Sequence, residues 1–468
     1  MISAIRRTFA PAPHLPRLPE AEVQRLYPRN RLRILEATFF GYAMFYLVRN
    51  NLSPVTKDLE KALHYTDGML GNIMAVTALS YGLGKFLMGA MSDRSNARVF
   101  MATGLLVSAL CNIAFGSVHT YGMHLFLWSV NGFFQGMGWP PCGRCMGHWF
   151  SERERGLTFS IWNTSHNLGG GIAGMLAGWA VYHTGGWEYA FYFPAALALM
   201  GSIYLYTRLM DTPQSIGLPS IEEYKNDYVL PPSEQAHFER ELTFRELFVK
   251  YVLLNKYVWI LAIANFFAYI SRYSMLDWSP KYLREIKGTD VKGGGLAILF
   301  SEFGGIPTTI FLGWVSDRIG GRRGLIATLS MIPIILAFSA MMYVTSSPTT
   351  AHWSAKAHLW FDYAMLIVIS FFIYPVINLI VIMALDLTSK KAIGTAAGFI
   401  GLFGYLGRMT QASGIGGMLD HYKKTADAAT AWQMVFYAIL GCTIVALVLL
   451  ALTWNWGPRT NASNQETL

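Results

Sequence analysis

Twelve stretches of about 20 mostly apolar residues recur along the chain, near 32–52, 69–91, 99–118, 122–147, 156–182, 187–207, 255–279, 293–315, 324–345, 359–384, 393–418 and 431–454. Wound as an α-helix, each is long enough to cross the hydrocarbon core of a bilayer. In lipid every backbone N–H and C=O must be satisfied within the segment, so such runs predict helices and exclude open sheets. Only 14% of residues are charged and 53% are hydrophobic, whereas soluble globular chains carry about 25% charged residues. The chain is expected to be an all-α membrane protein with twelve transmembrane helices.

Loop charge sets the orientation. With both termini inside, and with Arg33 and Lys256 at the cytoplasmic edges of their spans counted there, the cytoplasmic segments hold 23 Lys and Arg and the outer loops 9, with five more (Arg49, Lys85, Arg144, Arg272, Arg408) deeper inside spans. The positive-inside rule then places both termini in the cytoplasm. The expected organisation is a basic cytoplasmic segment over 1–31, a six-helix half over 32–209 and a cytoplasmic linker over 210–252. A second six-helix half over 253–456 and a cytoplasmic tail over 457–468 complete it. The start is arginine- and proline-rich without an apolar core of its own, so no cleavable signal peptide is expected there. The net charge of +9 is accounted for by topology, and no nucleic-acid partner is implied.

The two halves carry the same marks. Tyr42, Tyr46 and Arg49 stand at i, i+4 and i+7, and Asn265, Tyr269 and Arg272 repeat the spacing 223 residues later; each trio shares one helix face. Gly89-x-x-x-Asp93-Arg94-x-x-x-Arg98 follows the second span, and Gly313-x-x-x-Asp317-Arg318-x-x-x-Arg322 follows the eighth, offset by 224. Two copies in step predict a duplication of six helices into two pseudo-symmetric halves. Asp93, Arg94, Asp317 and Arg318 are candidate gating residues: the acid caps a helix end and the arginine bonds the last carbonyls of a neighbour, latching the halves on the cytoplasmic side.

An arginine within a membrane helix costs about 2.5–3.5 kcal/mol on insertion scales, and here the cost recurs at matched positions of both halves. Two guanidiniums facing one cavity suit a phosphate, to which each can give two parallel hydrogen bonds. Arg49 and Arg272 are thus the first candidate binding residues, with Tyr42, Tyr46 and Tyr269 as hydroxyl donors and walls. Lys85 is a third cation, one turn after Tyr81. His166 follows Trp162 by four residues between Asn163 and Asn167, and is positioned to bond a phosphate monoester that titrates near the same pH. Glu302 and Asp277 are the acids expected to be buried in the second half, as cation partners or proton sites.

Other features carry no chemistry. Cys142 and Cys145 form a solitary C-x-x-C inside a span and are expected to pack, as are Cys111 and Cys442. Gly170, Gly174 and Gly178 have the small-x-x-x-small spacing of close helix contact. Without a nucleotide-binding loop, a dinucleotide fingerprint or a metalloprotease motif, neither ATP-driven transport nor catalysis is supported, and no cofactor or metal is expected.

The paired loop motif resembles that of the major facilitator superfamily. Within it the chain resembles the organophosphate:phosphate antiporters, on Pro11-Ala-Pro-His14, Tyr46-Leu-Val-Arg49, Ser92-Asp-Arg-Ser-Asn96, Phe134-Gln-Gly-Met-Gly-Trp-Pro-Pro-Cys-Gly-Arg144, Asp211-Thr-Pro-Gln-Ser215, Leu276-Asp-Trp-Ser-Pro280 and Gly401-Leu-Phe-Gly-Tyr-Leu-Gly407. The resemblance implies the major facilitator fold in a bacterial inner membrane, and exchange of glycerol 3-phosphate for inorganic phosphate by alternating access. It also implies that the family's phosphate-binding arginines fall on Arg49 and Arg272, its second-span lysine on Lys85 and its fifth-span histidine on His166. One position departs: where the family has Arg-Lys, this chain has Arg49-Asn50, which leaves Asp277 without its family partner. Phosphoglycerates, hexose phosphates and other small organophosphates therefore stay open as substrates. The alternatives are a transporter-like sugar-phosphate receptor signalling to a membrane kinase, and a proton-coupled symporter using Glu302 or Asp277. A monomer suffices for a twelve-span path.

Overall fold

The structure, a computed structural model, describes residues 8–92, 94–226, 249, 252–319, 322–346, 348–350, 352–386 and 393–456. Among the described residues there are helices and no strands. The first half comprises α1 (Glu20–Leu47), α2 (Thr56–Leu63), α3 (Asp67–Ser92), α4 (Ala97–Ser117), α5 (Tyr121–Gln135), α6 (Trp139–Trp149), α7 (Glu152–Thr184) and α8 (Tyr189–Arg208). After the short α9 (Ile221–Lys225), the second half comprises α10 (Lys256–Ile286), α11 (Val291–Gly304), α12 (Ile306–Arg318), α13 (Arg323–Ser346), α14 (Ala355–Asp386), α15 (Ile393–Tyr422) and α16 (Ala428–Ala451). The near end of the bundle is where α1 starts and α16 stops; the far end is opposite.

Each predicted span is met by a helix, and the differences have local causes. The fourth span is split at Gly136–Gly138, where Pro140 and Pro141 open α6 in the first-turn positions that tolerate a missing N–H. The eighth is split at Gly305, against which the Tyr374 ring packs: a Cβ there would lie 2.5 Å from that ring. α1 begins at Glu20, twelve residues before the apolar run, with Glu20 and Glu22 in the first turn where the helix dipole favours acids. This extension is anchored: Tyr27 stacks on Tyr224 with centroids 3.9 Å apart and donates to the Pro219 carbonyl (3.2 Å).

By length and hydropathy five helices qualify outright as membrane spans, namely 97–117, 189–208, 323–345, 355–384 and 428–451. Of the others, α5, α6, α11 and α12 are the short pieces of the two split spans, and α1, α3, α7, α10 and α15 carry polar and charged residues of the interior.

The halves meet along two symmetric seams, α3 against α15 and α7 against α11. Small residues let the backbones touch. A Cβ on Gly71 would lie 2.3 Å from the Ala412 carbonyl oxygen, and one on Gly295 the same distance from that of Gly174. Gly174 itself faces Ile298 and Gly178 faces Val291, so the glycine row of α7 is a helix contact.

At the near end, residues 211–226 fold back onto the first half. The Asp211 carboxylate accepts from the backbone N–H of Ala12 (3.1 Å) and Ala97 (3.1 Å) and pairs with Arg144 (3.3 Å). Arg144 also donates to the carbonyls of Ser92 (3.1 Å) and Ser95. The helix-end carbonyls after α3 are thus satisfied by an arginine from α6. Arg94 is exposed in that loop, Arg318 is exposed at the end of α12, and Asp93 lies outside the described residues. Asp317 falls in the last turn of α12, but its side chain is not among those described.

Candidate substrate site between the halves

Arg49 stands in the turn two residues past the end of α1 and is 7% exposed. Its guanidinium carbon lies 3.8 Å from the centroid of the Tyr46 ring and 4.7 Å from that of Tyr81. Arg272, in the middle of α10, stands 4.0 Å from the Tyr374 centroid and 5.0 Å from that of Tyr273. Ring contacts join the two arginines in both directions. Tyr46 reaches His166 (5.8 Å) and His166 reaches Tyr374 (6.1 Å). On the other side Tyr81 reaches Tyr405 (4.9 Å), Tyr405 reaches Tyr269 (5.7 Å) and Tyr269 reaches Tyr273 (5.4 Å). The result is a closed circuit of two cations, six tyrosines and a histidine, with members from both halves. Cation–π contact holds each guanidinium in an otherwise apolar setting. Among the described residues neither arginine forms an ion pair, and Nε of each is buried without a hydrogen-bond partner.

Most of the sequence candidates sit in or beside this circuit. Tyr46, Tyr269, Arg49, Arg272 and His166 are members. His166 donates from Nδ1 to the Asn163 carbonyl, which turns its other nitrogen away from its own helix backbone. Tyr42 lies one tier toward the near end, edge-on to Tyr46 (5.5 Å) and stacked on Trp162 (5.1 Å). Lys85 is outside the circuit. Its ammonium lies 5.2 Å from the Trp139 ring, and with Trp139, Arg144 and Phe159 it lines a cavity of about 510 Å³ on the near side. Asn265 is turned to helix packing, donating to the Ile400 carbonyl of α15 (2.9 Å).

Sequence reasoning gave no role to Tyr273, Tyr374 or Tyr405. Tyr273 adjoins Arg272 in sequence, the one signal available; the other two stand on helices that do not repeat the arginine trio. The sequence marks Arg408 only as a cation inside a span.

The buried acids are both engaged. Glu302, 1% exposed, accepts from the Asn167 amide (3.1 Å) and from the Tyr374 hydroxyl, tying α11 to α7 across the seam. Asp277 is not left without a partner: Oδ1 accepts from Arg408 Nη2 (2.8 Å), and Oδ2 from Arg408 Nε (3.2 Å) and Gln411 Nε2 (2.8 Å). With Asn50 in place of the family lysine, the cation for Asp277 comes instead from α15, a helix that sequence spacing does not connect to α10.

The far end is shut by ion pairs. Asp58, Glu60 and Asp67 come from the first half, Lys281, Arg284 and Lys423 from the second. The near end has the 510 Å³ cavity.

The sequence matches the family model described as Major Facilitator Superfamily over residues 38–412. It is 42% identical over 463 residues to the glycerol-3-phosphate transporter of Haemophilus influenzae, covering 94% of each chain. It is 32% identical over 440 residues to the membrane sensor protein UhpC of Escherichia coli, covering 94% of this chain and 95% of that one. Among solved structures it resembles a bacterial homologue of the lysosomal transporter Spinster, at a TM-score of 0.68 and 15% identity over 93% of this chain and 98% of the other. A duplicated helical bundle with this extent of likeness belongs to the major facilitator superfamily, and within it to the organophosphate:phosphate antiporters.

Proposed function

We propose that this protein imports glycerol 3-phosphate, or a similar small organophosphate, across the bacterial inner membrane in exchange for inorganic phosphate. The observation that carries the reading is the circuit: two unpaired guanidiniums, one from each half, held among aromatic rings at the middle of the bundle. A phosphate between them would receive parallel hydrogen bonds from both. The relative named a glycerol-3-phosphate transporter supports the choice of organophosphate. Tyr46, between the arginines, is positioned to donate to the same oxyanion. His166, whose Nδ1 proton is given to the Asn163 carbonyl, would accept through Nε2 from a singly protonated phosphate. Tyr42, Asn163 and Lys85 would line the route from the near end. With both termini cytoplasmic, the far-end ion pairs close the carrier to the outside.

Obligate exchange follows from electrostatics. Closing an empty site brings two like charges together in a poorly solvated space, and an oxyanion removes that cost. A ligand moves a conformational equilibrium only by its differential affinity for the states. Phosphate that binds the occluded state best therefore speeds reorientation, and the empty carrier stays slow. Proteoliposomes loaded with labelled phosphate test this: efflux is expected only when external phosphate or glycerol 3-phosphate is added. Fast efflux into plain buffer would overturn exchange.

The likeness to a membrane sensor favours one second reading, a receptor that binds a sugar phosphate and signals. Saturable binding without flux in the same vesicles would select it.

A further inference from the structure

We infer that Arg408 is a positioning residue for the substrate site: by neutralising Asp277 it keeps Arg49 free for the oxyanion. The inference rests on the phosphate-binding reading above.

A buried carboxylate close to an unpaired arginine is an internal competitor for any anionic ligand. Asp277 and Arg49 line the same small cavity, of about 20 Å³, together with Asn50, Ser53 and Arg408. Asp277 is 5% exposed and Arg408 9%, so neither charge is discharged by solvent. The Arg408 fork takes both carboxylate oxygens and Gln411 adds a third donor. This geometry satisfies the acid within the second half alone, on α10 and α15. Arg408 is itself fixed by the Tyr273 ring (4.1 Å), which Arg272 also faces (5.0 Å). From the first half, Ser53 donates to the Asp277 backbone carbonyl (2.5 Å). No first-half cation is committed to the carboxylate among the described residues.

Remove Arg408 and the remaining arginine on that cavity is Arg49. A carboxylate deprived of its buried partner recruits the nearest cation, because an isolated buried charge is costly. Arg49 would then be paired internally, and phosphate would have to displace Asp277 to bind. Asn50 stands across the cavity with its amide nitrogen buried and without a partner among the described residues. A lysine at position 50 would offer Asp277 a substitute cation from the first half.

The test is Arg408→Leu in full-length protein, with phosphate binding measured on the purified protein and phosphate exchange measured in proteoliposomes. Arg408→Leu should raise the apparent Kd for inorganic phosphate and the KM by roughly tenfold or more, with a smaller effect on kcat. Two second-site changes should undo this: Asp277→Asn, which removes the competitor, and Asn50→Lys, which supplies a new partner. Each double variant should return Kd and KM to within about threefold of the parent. Arg408→Lys should be intermediate. If Arg408→Leu folds and Asp277→Asn fails to restore phosphate affinity, Arg408 acts in some other way and the inference is overturned. If Arg408→Leu does not fold, Arg408→Lys alone and with Asp277→Asn decides by the same restoration of affinity. A parent chain that binds phosphate but exchanges none would overturn the antiport reading, and the binding series would still decide the role of Arg408.

Discussion

Lys281, at the far end of α10, is fully buried with its ammonium against the carboxylate of Asp67 at the start of α3. Glu60 (2.7 Å) and Glu285 (3.7 Å) complete its surroundings, so three carboxylates that could converge on a metal already hold a cation. The Asp420 carboxylate caps α3 in trans, accepting from the backbone N–H of Asp67 (2.8 Å) and Gly68 (2.9 Å). First-half acids paired with second-half bases, together with the Asp420 cap, close this end beside a buried apolar layer that includes Val55, Leu59 and Tyr282. Breaking a buried pair by removing one partner costs about 3–5 kcal/mol. Lys281→Met should therefore populate a conformation open at the far end. A spin-label pair across α2 and the α15–α16 loop would show it as a second, longer distance; an unchanged distribution would refute the latch.

The pH dependence of that latch follows from Lys423. Burial works against its charge, but the carboxylates of Asp67 (2.9 Å) and Glu285 (2.8 Å) outweigh it and raise its pKa above the ordinary 10.5. A cation whose pKa is raised in the closed state adds stability that is complete below its ordinary value and is lost as pH climbs through the raised one. The Lys423 contribution should be constant from neutrality to about pH 10 and decline only at higher pH. Distance measurements from pH 7 to pH 11 would show far-end opening confined to the alkaline limb, and Lys423→Met should abolish that limb.

The guanidinium itself, and not merely positive charge, is required at the two central positions. Lysine keeps the charge but loses the planar fork that meets two phosphate oxygens at once. Arg49→Lys and Arg272→Lys should each reduce phosphate exchange by roughly tenfold or more, given the 2–5 kcal/mol typical of truncating a desolvated charged partner. A lysine variant with parental KM and kcat would show that the site reads charge alone.

Much of this was legible in the residues. The apolar runs predict the spans, and the 223-residue echo predicts that Arg49 and Arg272 have matched places. What failed to show is whatever depends on contact between non-equivalent helices. Tyr374 and Tyr405 complete the circuit from α14 and α15, and Arg408 answers Asp277 across a packing that no helical spacing encodes. Sequence pattern reports which face of one helix a residue occupies; only the bundle decides which other face it meets. Lys85 shows the converse. Its position on α3 places a cation within a span, but its side chain turns to Trp139 and the near-side cavity instead of joining the two arginines.

The seam between α7 and α11 yields a prediction about stability. Gly295 is buried where the two backbones touch, and a Cβ there would lie 2.3 Å from the Gly174 carbonyl oxygen. The obstacle is backbone and not the end of a flexible chain, so a larger residue must force the helices apart. Overpacking of this kind costs about 1–3 kcal/mol and more where nothing can yield. Gly295→Val should lower the thermal midpoint of the detergent-purified protein. Because α7 also carries His166 and Asn167, and α11 carries Glu302, the same shift should loosen the Asn167–Glu302 bond (3.1 Å) and reduce exchange even below the melting transition. By contrast Gly441, whose Cβ would meet nothing within 4 Å, should accept alanine without loss of either. A Gly295→Val protein as stable and active as the parent would mean that the seam is not the rigid contact drawn here.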